Sequence, residues 1–178
     1  MPVLAGPLFA AAALLGSAGC RKLVTPDPTR IALRTAGLRG SRLLARAMGA
    51  GEVTAAVVAF VFGGRLGAAL ITLAYLAFAG FTRLIQVRGG PGASCGCFGA
   101  SDPPVTSWHV GVDLAIAAVA AAAIAFPVPG IVDVARTTPL GGVIFVGYVV
   151  LLAWLLQILL TALPAVWAAA NPPRRALR

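Results

Sequence analysis

Charge is the scarcest property of this chain. Only 11% of its 178 residues are charged, about half the share a soluble domain carries, which excludes an ordinary soluble globular protein. With 60% hydrophobic residues and a mean hydropathy of +0.94, the chain reads as an integral membrane protein. It has room for about four or five helices of ~20 residues. Acidic residues are scarcer still, five against 14 basic ones, for a net charge of +9. In a soluble chain that balance would point to nucleic acid. Here the basic residues cluster between apolar runs, so they read as topology signals and headgroup anchors, with the lipid bilayer as partner and no nucleic acid. Three cysteines are too few, and odd in number, for a secreted disulfide scaffold. The chain shows no serine or cysteine triad motif, phosphate loop, Rossmann glycine pattern or zinc-protease motif. A soluble-type cofactor domain is therefore not expected.

Five apolar segments are present. The first runs from about residue 2 to 23. No positive residue precedes its apolar core, so it reads as a retained helix rather than a signal peptide. Ser17-Ala18-Gly19-Cys20 is similar to a lipoprotein cleavage site, but Ser17 stands where a larger aliphatic residue is wanted. A basic stretch follows, with six arginines and Lys22 between residues 21 and 46, against Asp27 alone. Arg30, Arg34, Arg42 and Arg46 recur at multiples of four. That spacing suits either an amphipathic helix on an anionic lipid surface, interrupted at Gly40, or a solvated basic loop. The second segment, about residues 47–64, carries Glu52 about one turn inside it and ends at a Gly63-Gly64 turn. The third, about 66–87, carries Arg83 near its end. A glycine- and proline-rich loop over residues 88–105 holds Cys95 and Cys97. The fourth segment, about 106–126, opens with Ser107-Trp108-His109 and includes Asp113. The fifth, about 140–170, is long enough to tilt and is expected to kink at Pro164.

If all five segments span, Cys20, Lys22, Glu52, Arg83, Cys95, Cys97, His109 and Asp113 fall at one end of the bundle. Two thiols one residue apart are a redox pair, a static clip or half a metal site. Gly96 permits the bend a disulfide needs, and the small ring would be strained and oxidising. Nearby positive charge from Arg83 or Arg88 favours a thiolate. A sulfur-ligated metal needs three or four soft ligands, and only Cys20 and His109 are on hand to complete such a set. Cys20 otherwise reads as a resolving thiol or a small apolar residue. Glu52, an acid in hydrocarbon, needs a partner, Lys22 or Arg83. That pair is either an interhelical lock or a proton handler beside the thiols. His109 and Asp113 are four apart on one helical face. They suit a general base, or His109 is an interfacial anchor beside Trp108.

Several of these motifs resemble those of the methylamine utilisation protein MauE family, which is related to DoxX-like membrane proteins. The points of resemblance are residues 17–23 ending in Lys22-Leu23, then Gly51-Glu52-Val53, then Cys95-Gly96-Cys97-Phe98-Gly99 followed by Ser107-Trp108. Order and spacing agree over about residues 3–126. The resemblance implies an all-α polytopic bundle, with a four-helix domain over residues 1–126. Residues 127–178 would add a linker, a fifth helix and a basic tail. It implies a redox-associated role in the cell (inner) membrane. That role is disulfide formation or maturation of a partner such as methylamine dehydrogenase, beside a thioredoxin-like protein. Lys22, Glu52, Cys95 and Cys97 carry over as matching positions. The chain departs from the family at Val112-Asp113-Leu114, where an Arg-Asn pair is usual, and lacks the tyrosine-leucine-proline stretch of the first loop. Other four-helix thiol oxidases couple to a lipid-soluble quinone, but no quinone motif is present and no cofactor is firmly implied. A non-catalytic assembly factor with a cysteine clip is the alternative, and a metal-binding membrane protein a further one.

Two signals conflict on orientation. Twelve of the 14 basic residues lie at the cysteine end, all but Arg65 and Arg136. The positive-inside rule places that end in the cytoplasm. The role implied by the resemblance wants the thiols outside the cytoplasm, where disulfides persist.

Overall fold

The computed structural model describes residues 2–90, 92–97 and 103–170. Its elements are helical, with no strand among the described residues. In order they are α1 (Ala5–Val24), α2 (Asp27–Thr35), α3 (Arg42–Val61), α4 (Gly64–Arg88), α5 (Ser107–Ala125), α6 (Ile131–Thr137) and α7 (Val143–Ala170). Five of them, α1, α3, α4, α5 and α7, are long and apolar enough to cross a membrane. The protein is a polytopic helical membrane bundle, as the hydropathy pattern predicts. Large apolar side chains such as Leu66, Leu73, Leu76, Leu151 and Trp154 are exposed on its outer faces. In lipid that surface is already solvated and association depends on close packing.

Small residues set that packing. α1 crosses α3 at Gly19 and Gly49, where a Cβ on either glycine would lie 2.7 Å from the carbonyl oxygen of the other. Further along the same seam Gly16 faces Ala56. α4 and α5 form the other tightly packed pair, and α3 adjoins α4 across the Gly63-Gly64 turn. Both glycines there have positive φ, 57° and 62°, which side-chain-bearing residues rarely adopt. The Gly64 N–H donates to the Val128 carbonyl at 2.6 Å, which ties this turn to the loop after α5. The core centres on Phe9, fully buried, stacked on Phe60 at 5.5 Å and meeting Phe145 edge-on at 6.0 Å.

Two boundaries differ from the sequence expectation. The basic stretch splits into α2 and the first turn of α3, because Gly37 (φ 77°) breaks the chain and Ser41 caps a new helix by accepting from the Leu44 N–H at 3.0 Å. α3 therefore starts at Arg42, with Arg42 and Arg46 at the end of a span where long basic side chains can reach the interface. Glu52 then sits ten residues into the helix, about 15 Å along it, not one turn in. The fifth span, α7, packs mainly on α1. Tyr148 lies directly over Gly6, and the Trp108 indole N–H donates to the Leu159 carbonyl at 3.1 Å. α7 runs through position 164 as a single element.

Candidate functional site

The unusual chemistry gathers at one end of the bundle. That end holds the C-termini of α1 and α4, the N-termini of α3 and α5, α2, and the cysteine loop. At the close crossing of these antiparallel helices Lys22 packs against Gly49 and Glu52 against Gly19, so the two side chains meet across the seam. Lys22 Nζ donates to Glu52 Oε2 at 2.7 Å, with side-chain exposures of only 2% and 8%. The same ammonium stands 5.0 Å above the Phe78 ring. Of the two partners the sequence offered Glu52, the structure selects Lys22. Arg83 is exposed, hydrogen-bonded to Gln86 Oε1 at 3.2 Å. It follows the buried Thr82, and one residue is about 100° of helix rotation, enough to turn it off the inner face.

The cysteine loop is held down by α2. Thr29 Oγ1 donates to the Gly96 carbonyl at 3.0 Å in a buried contact. Gly96 has φ +66°, and a Cβ there would lie 2.6 Å from the Pro28 carbonyl. Position 96 thus excludes a side chain on two separate grounds. Ala32, Ala36, Ile85 and Cys95 form a small apolar cluster beneath the loop. The Arg88 guanidinium ties the end of α4 to the Ala36 carbonyl at 2.9 Å. The basic first loop that the sequence left as either a lipid-surface helix or a solvated loop is, in the structure, the cover of the cysteine pair. Its outer face still presents Ile31 to the surroundings.

Cys95 is buried and Cys97 half-buried, with no bond between them, and Cys97 Sγ lies 3.9 Å from the Cys95 carbonyl oxygen. Phe98 and Gly99, the rest of the motif, lie outside the described residues. Beneath the thiols is a cavity of about 30 Å³ whose lining includes Cys95, Cys97, Tyr75, Thr82, His109 and Asp113. That is room for about one or two water molecules.

His109 and Asp113 both face inward. His109 completes a capping box at the start of α5, its Nδ1 accepting from the Thr106 N–H at 3.2 Å. A backbone N–H only donates, so the neutral ring carries its proton on Nε2. Nδ1 is therefore not the nitrogen a carboxylate would orient. Asp113 accepts from the Thr82 hydroxyl. Tyr75 Oη donates to the Ala11 carbonyl at 2.9 Å. Tyr75 and Thr82 are the site residues that sequence reasoning passed over. Their signal was a pair of polar groups seven apart on one face of an apolar helix. Cys20 is exposed. It lies two residues from buried Ala18 and from Lys22, about 200° around the helix from each, and does not join the thiol pair. Among the described residues no three His, Cys, Asp or Glu side chains converge as metal ligands.

Comparison with known families gives one match, to the family described as Methylamine utilisation protein MauE, over residues 2–128. The chain belongs to the MauE family. No curated protein and no solved structure matches it. The MauE match spans α1 to α5 and includes every residue of the site, and α7 lies beyond it. With five apolar spans, this is a multi-pass membrane protein of a family associated with methylamine utilisation.

Proposed function

We propose that this MauE protein exchanges disulfides with a partner protein through Cys95 and Cys97, in support of the partner's oxidative maturation. One observation carries the reading. Two thiols, one half-buried and one buried, are held close together over a small cavity that His109 and Asp113 also line, at the end of the bundle that holds the buried Lys22–Glu52 pair. The rest of the bundle offers little other reactive chemistry.

The order of events follows from exposure. In the oxidised protein a partner thiolate attacks Cys97 Sγ, the accessible sulfur. The Cys95–Cys97 bond breaks and Cys95 leaves as a thiolate, which takes up a proton. A second partner thiolate attacks the partner's own sulfur in the mixed disulfide and expels Cys97. The partner has lost two electrons and gained a disulfide, and Cys95 and Cys97 hold those electrons as a dithiol. A thioredoxin-like protein suits the partner's side of this step, and methylamine dehydrogenase maturation is the setting the family name suggests.

The test is Cys95→Ser, which leaves Cys97 able to attack an oxidised partner's disulfide, the reverse of the exchange, with no neighbouring thiol to displace the partner and close the internal bond. It should accumulate a reductant-sensitive adduct at Cys97, while Cys97→Ser should form none. Wild-type maturation with both single variants contradicts the proposal. The adduct also reports the side. A cytoplasmic partner agrees with the basic rim at this end, and an extracytoplasmic one overrules it.

The tight seat of Gly96 on Pro28 and Thr29 favours a second reading, a structural loop in a non-catalytic assembly factor. On that reading Cys95→Ser and Cys97→Ser act only by lowering stability, and no adduct forms.

A further inference from the structure

The inner face of α2 covers the thiols, and the exchange sequence makes no use of its outer face. α1 ends at Val24 and α3 begins at Arg42. α2 and the turn after it therefore lie at the end of two spans, the level of lipid headgroups. Four arginines meet there around one carboxylate. Arg42 donates to both Asp27 oxygens, at 3.2 and 3.1 Å, and Arg46 follows one turn along α3 on the same face. Arg30 Nε lies 3.2 Å from Asp27 Oδ1, yet that buried nitrogen makes no hydrogen bond among the described residues. The Arg34 side chain lies against Gly40, where a Cβ would come 2.5 Å from its Cγ, so it is held beside the start of α3. Among the described residues no carboxylate is in ion-pair range of Arg34 or Arg46. The hydrogen-bonding capacity of Asp27 goes to Arg42, and the corner keeps an excess of cations that the fold does not neutralise.

Apolar side chains stand among these cations. Ile31, Leu38 and Leu43 are all exposed. Exposed aliphatics have no place in a purely solvated basic loop. A phospholipid matches both features, with a phosphate for the guanidinium forks and acyl chains for the aliphatics. The excess positive charge selects an anionic headgroup over a zwitterionic one.

We infer that the outer face of α2 and the start of α3 dock an anionic phospholipid, and that this contact holds α2 down on the cysteine loop. The coupling runs through α2 itself. Thr29 Oγ1 donates to the Gly96 carbonyl, and Ala32 and Ala36 pack with Cys95 in one apolar cluster. Lifting α2 would carry Arg30 and Arg34 away from Arg42 and Arg46, so the seated arrangement offers the headgroup the denser set of cations. A ligand that binds one arrangement better shifts the population toward it. Anionic lipid thus keeps the pair covered, and a partner reaches it more readily where such lipid is sparse. That consequence rests on the thiol-exchange reading, whereas the lipid contact does not.

The measurement is the rate of N-ethylmaleimide alkylation at Cys95, read by mass spectrometry. It uses the full-length reduced protein with Cys20→Ser, in nanodiscs that leave both faces open to reagent. The discs hold phosphatidylcholine alone or with phosphatidylglycerol. Cys95 is buried and reacts when its cover opens, so the rate follows the open fraction. Phosphatidylglycerol should slow the reaction about fivefold, the factor that the attraction of one surface arginine to an anionic leaflet supplies. Arg34→Gln with Arg46→Gln should abolish that response, and Arg34→Lys with Arg46→Lys should keep most of it. A lowered pH at the anionic surface would slow all three proteins alike, so a response that survives in the glutamine pair overturns the proposal. Equal parent rates in the two lipids also overturn it, and would leave the arginines to an acidic protein. Slowing by inorganic phosphate in phosphatidylcholine discs, to the same extent, would make the ligand a soluble anion and overturn the lipid assignment. If the lipid response appears but Cys95→Ser traps no partner, exchange fails and the lipid surface stands. If trapping succeeds without a lipid response, exchange stands and the lipid surface fails.

Discussion

A single buried hydrogen bond, from Lys22 to Glu52, fixes the chemistry available at the cysteine end. Neutralising one member strands the other in low dielectric. Lys22→Met or Glu52→Gln alone should destabilise the folded protein by about 3–5 kcal/mol. The double variant should lose much less, because two neutral side chains of similar size need no partner. Denaturant unfolding in detergent checks this, and additive losses in the double variant would contradict it. The sequence showed that Glu52 needs a cation, but not which one. Lys22 and Arg83 lie at the same end of the bundle, and only helical phase separates them. Thr82 takes the inward position on α4, so Arg83 faces out.

At the scale of elements, α2 is what the sequence described least well. Its arginine spacing was legible, and so was a break near Gly40. That its inner face would cover the cysteines was not, because the contact runs through the Thr29 hydroxyl, the Pro28 carbonyl and a glycine. None of these has a periodic signature. Replacing Gly96 with Ala should lift the loop from α2. A left-handed conformation costs a side-chain-bearing residue about 1–2 kcal/mol, and the new Cβ meets the Pro28 carbonyl as well. Alkylation of Cys95 should accelerate, and amide exchange over residues 27–35 should rise with it. Unchanged rates would mean the cover does not depend on this seat.

The outer corner of α2 is pH-sensitive in a definite direction. Arg42 donates to both Asp27 oxygens, Nε at 3.2 Å and Nη2 at 3.1 Å, and Arg30 Nε lies 3.2 Å away. The Arg42 hydrogen bond, aided by the charges of Arg42 and Arg30, holds the Asp27 carboxyl below its ordinary range. A depressed carboxyl stabilises the fold above its unfolded value, about pH 4. That contribution is lost as pH falls through the lower folded value. Amide exchange across α2 should therefore rise in acid below about pH 4. Asp27→Asn should remove that step, and high salt should blunt it because the pair is exposed. An acid response that persists in Asp27→Asn would assign it elsewhere.

Over the whole molecule, hydropathy alone gave the five spans, because lipid demands long uninterrupted apolar helices whatever their neighbours. Counting spans also placed the reactive residues at one end. It could not give the order of packing. α1 and α3 meet through glycines, and α7 lies against α1 outside the matched family span, with much of its apolar surface left to lipid. His109 caps α5 through its Nδ1 as well as lining the cavity with Asp113, and that capping role has no signature in helical spacing. The bundle holds Cys95 and Cys97 close together at one end, and the central claim is that they form a reversible redox couple. The direct measurement is a redox titration of the purified full-length protein against dithiothreitol buffers, with mass spectrometry of the peptides bearing Cys95 and Cys97. An intramolecular Cys95–Cys97 disulfide should open and close as a single two-electron step, with Cys20 remaining a thiol. Two thiols that stay reduced across the whole range, or that oxidise only between molecules, would contradict it.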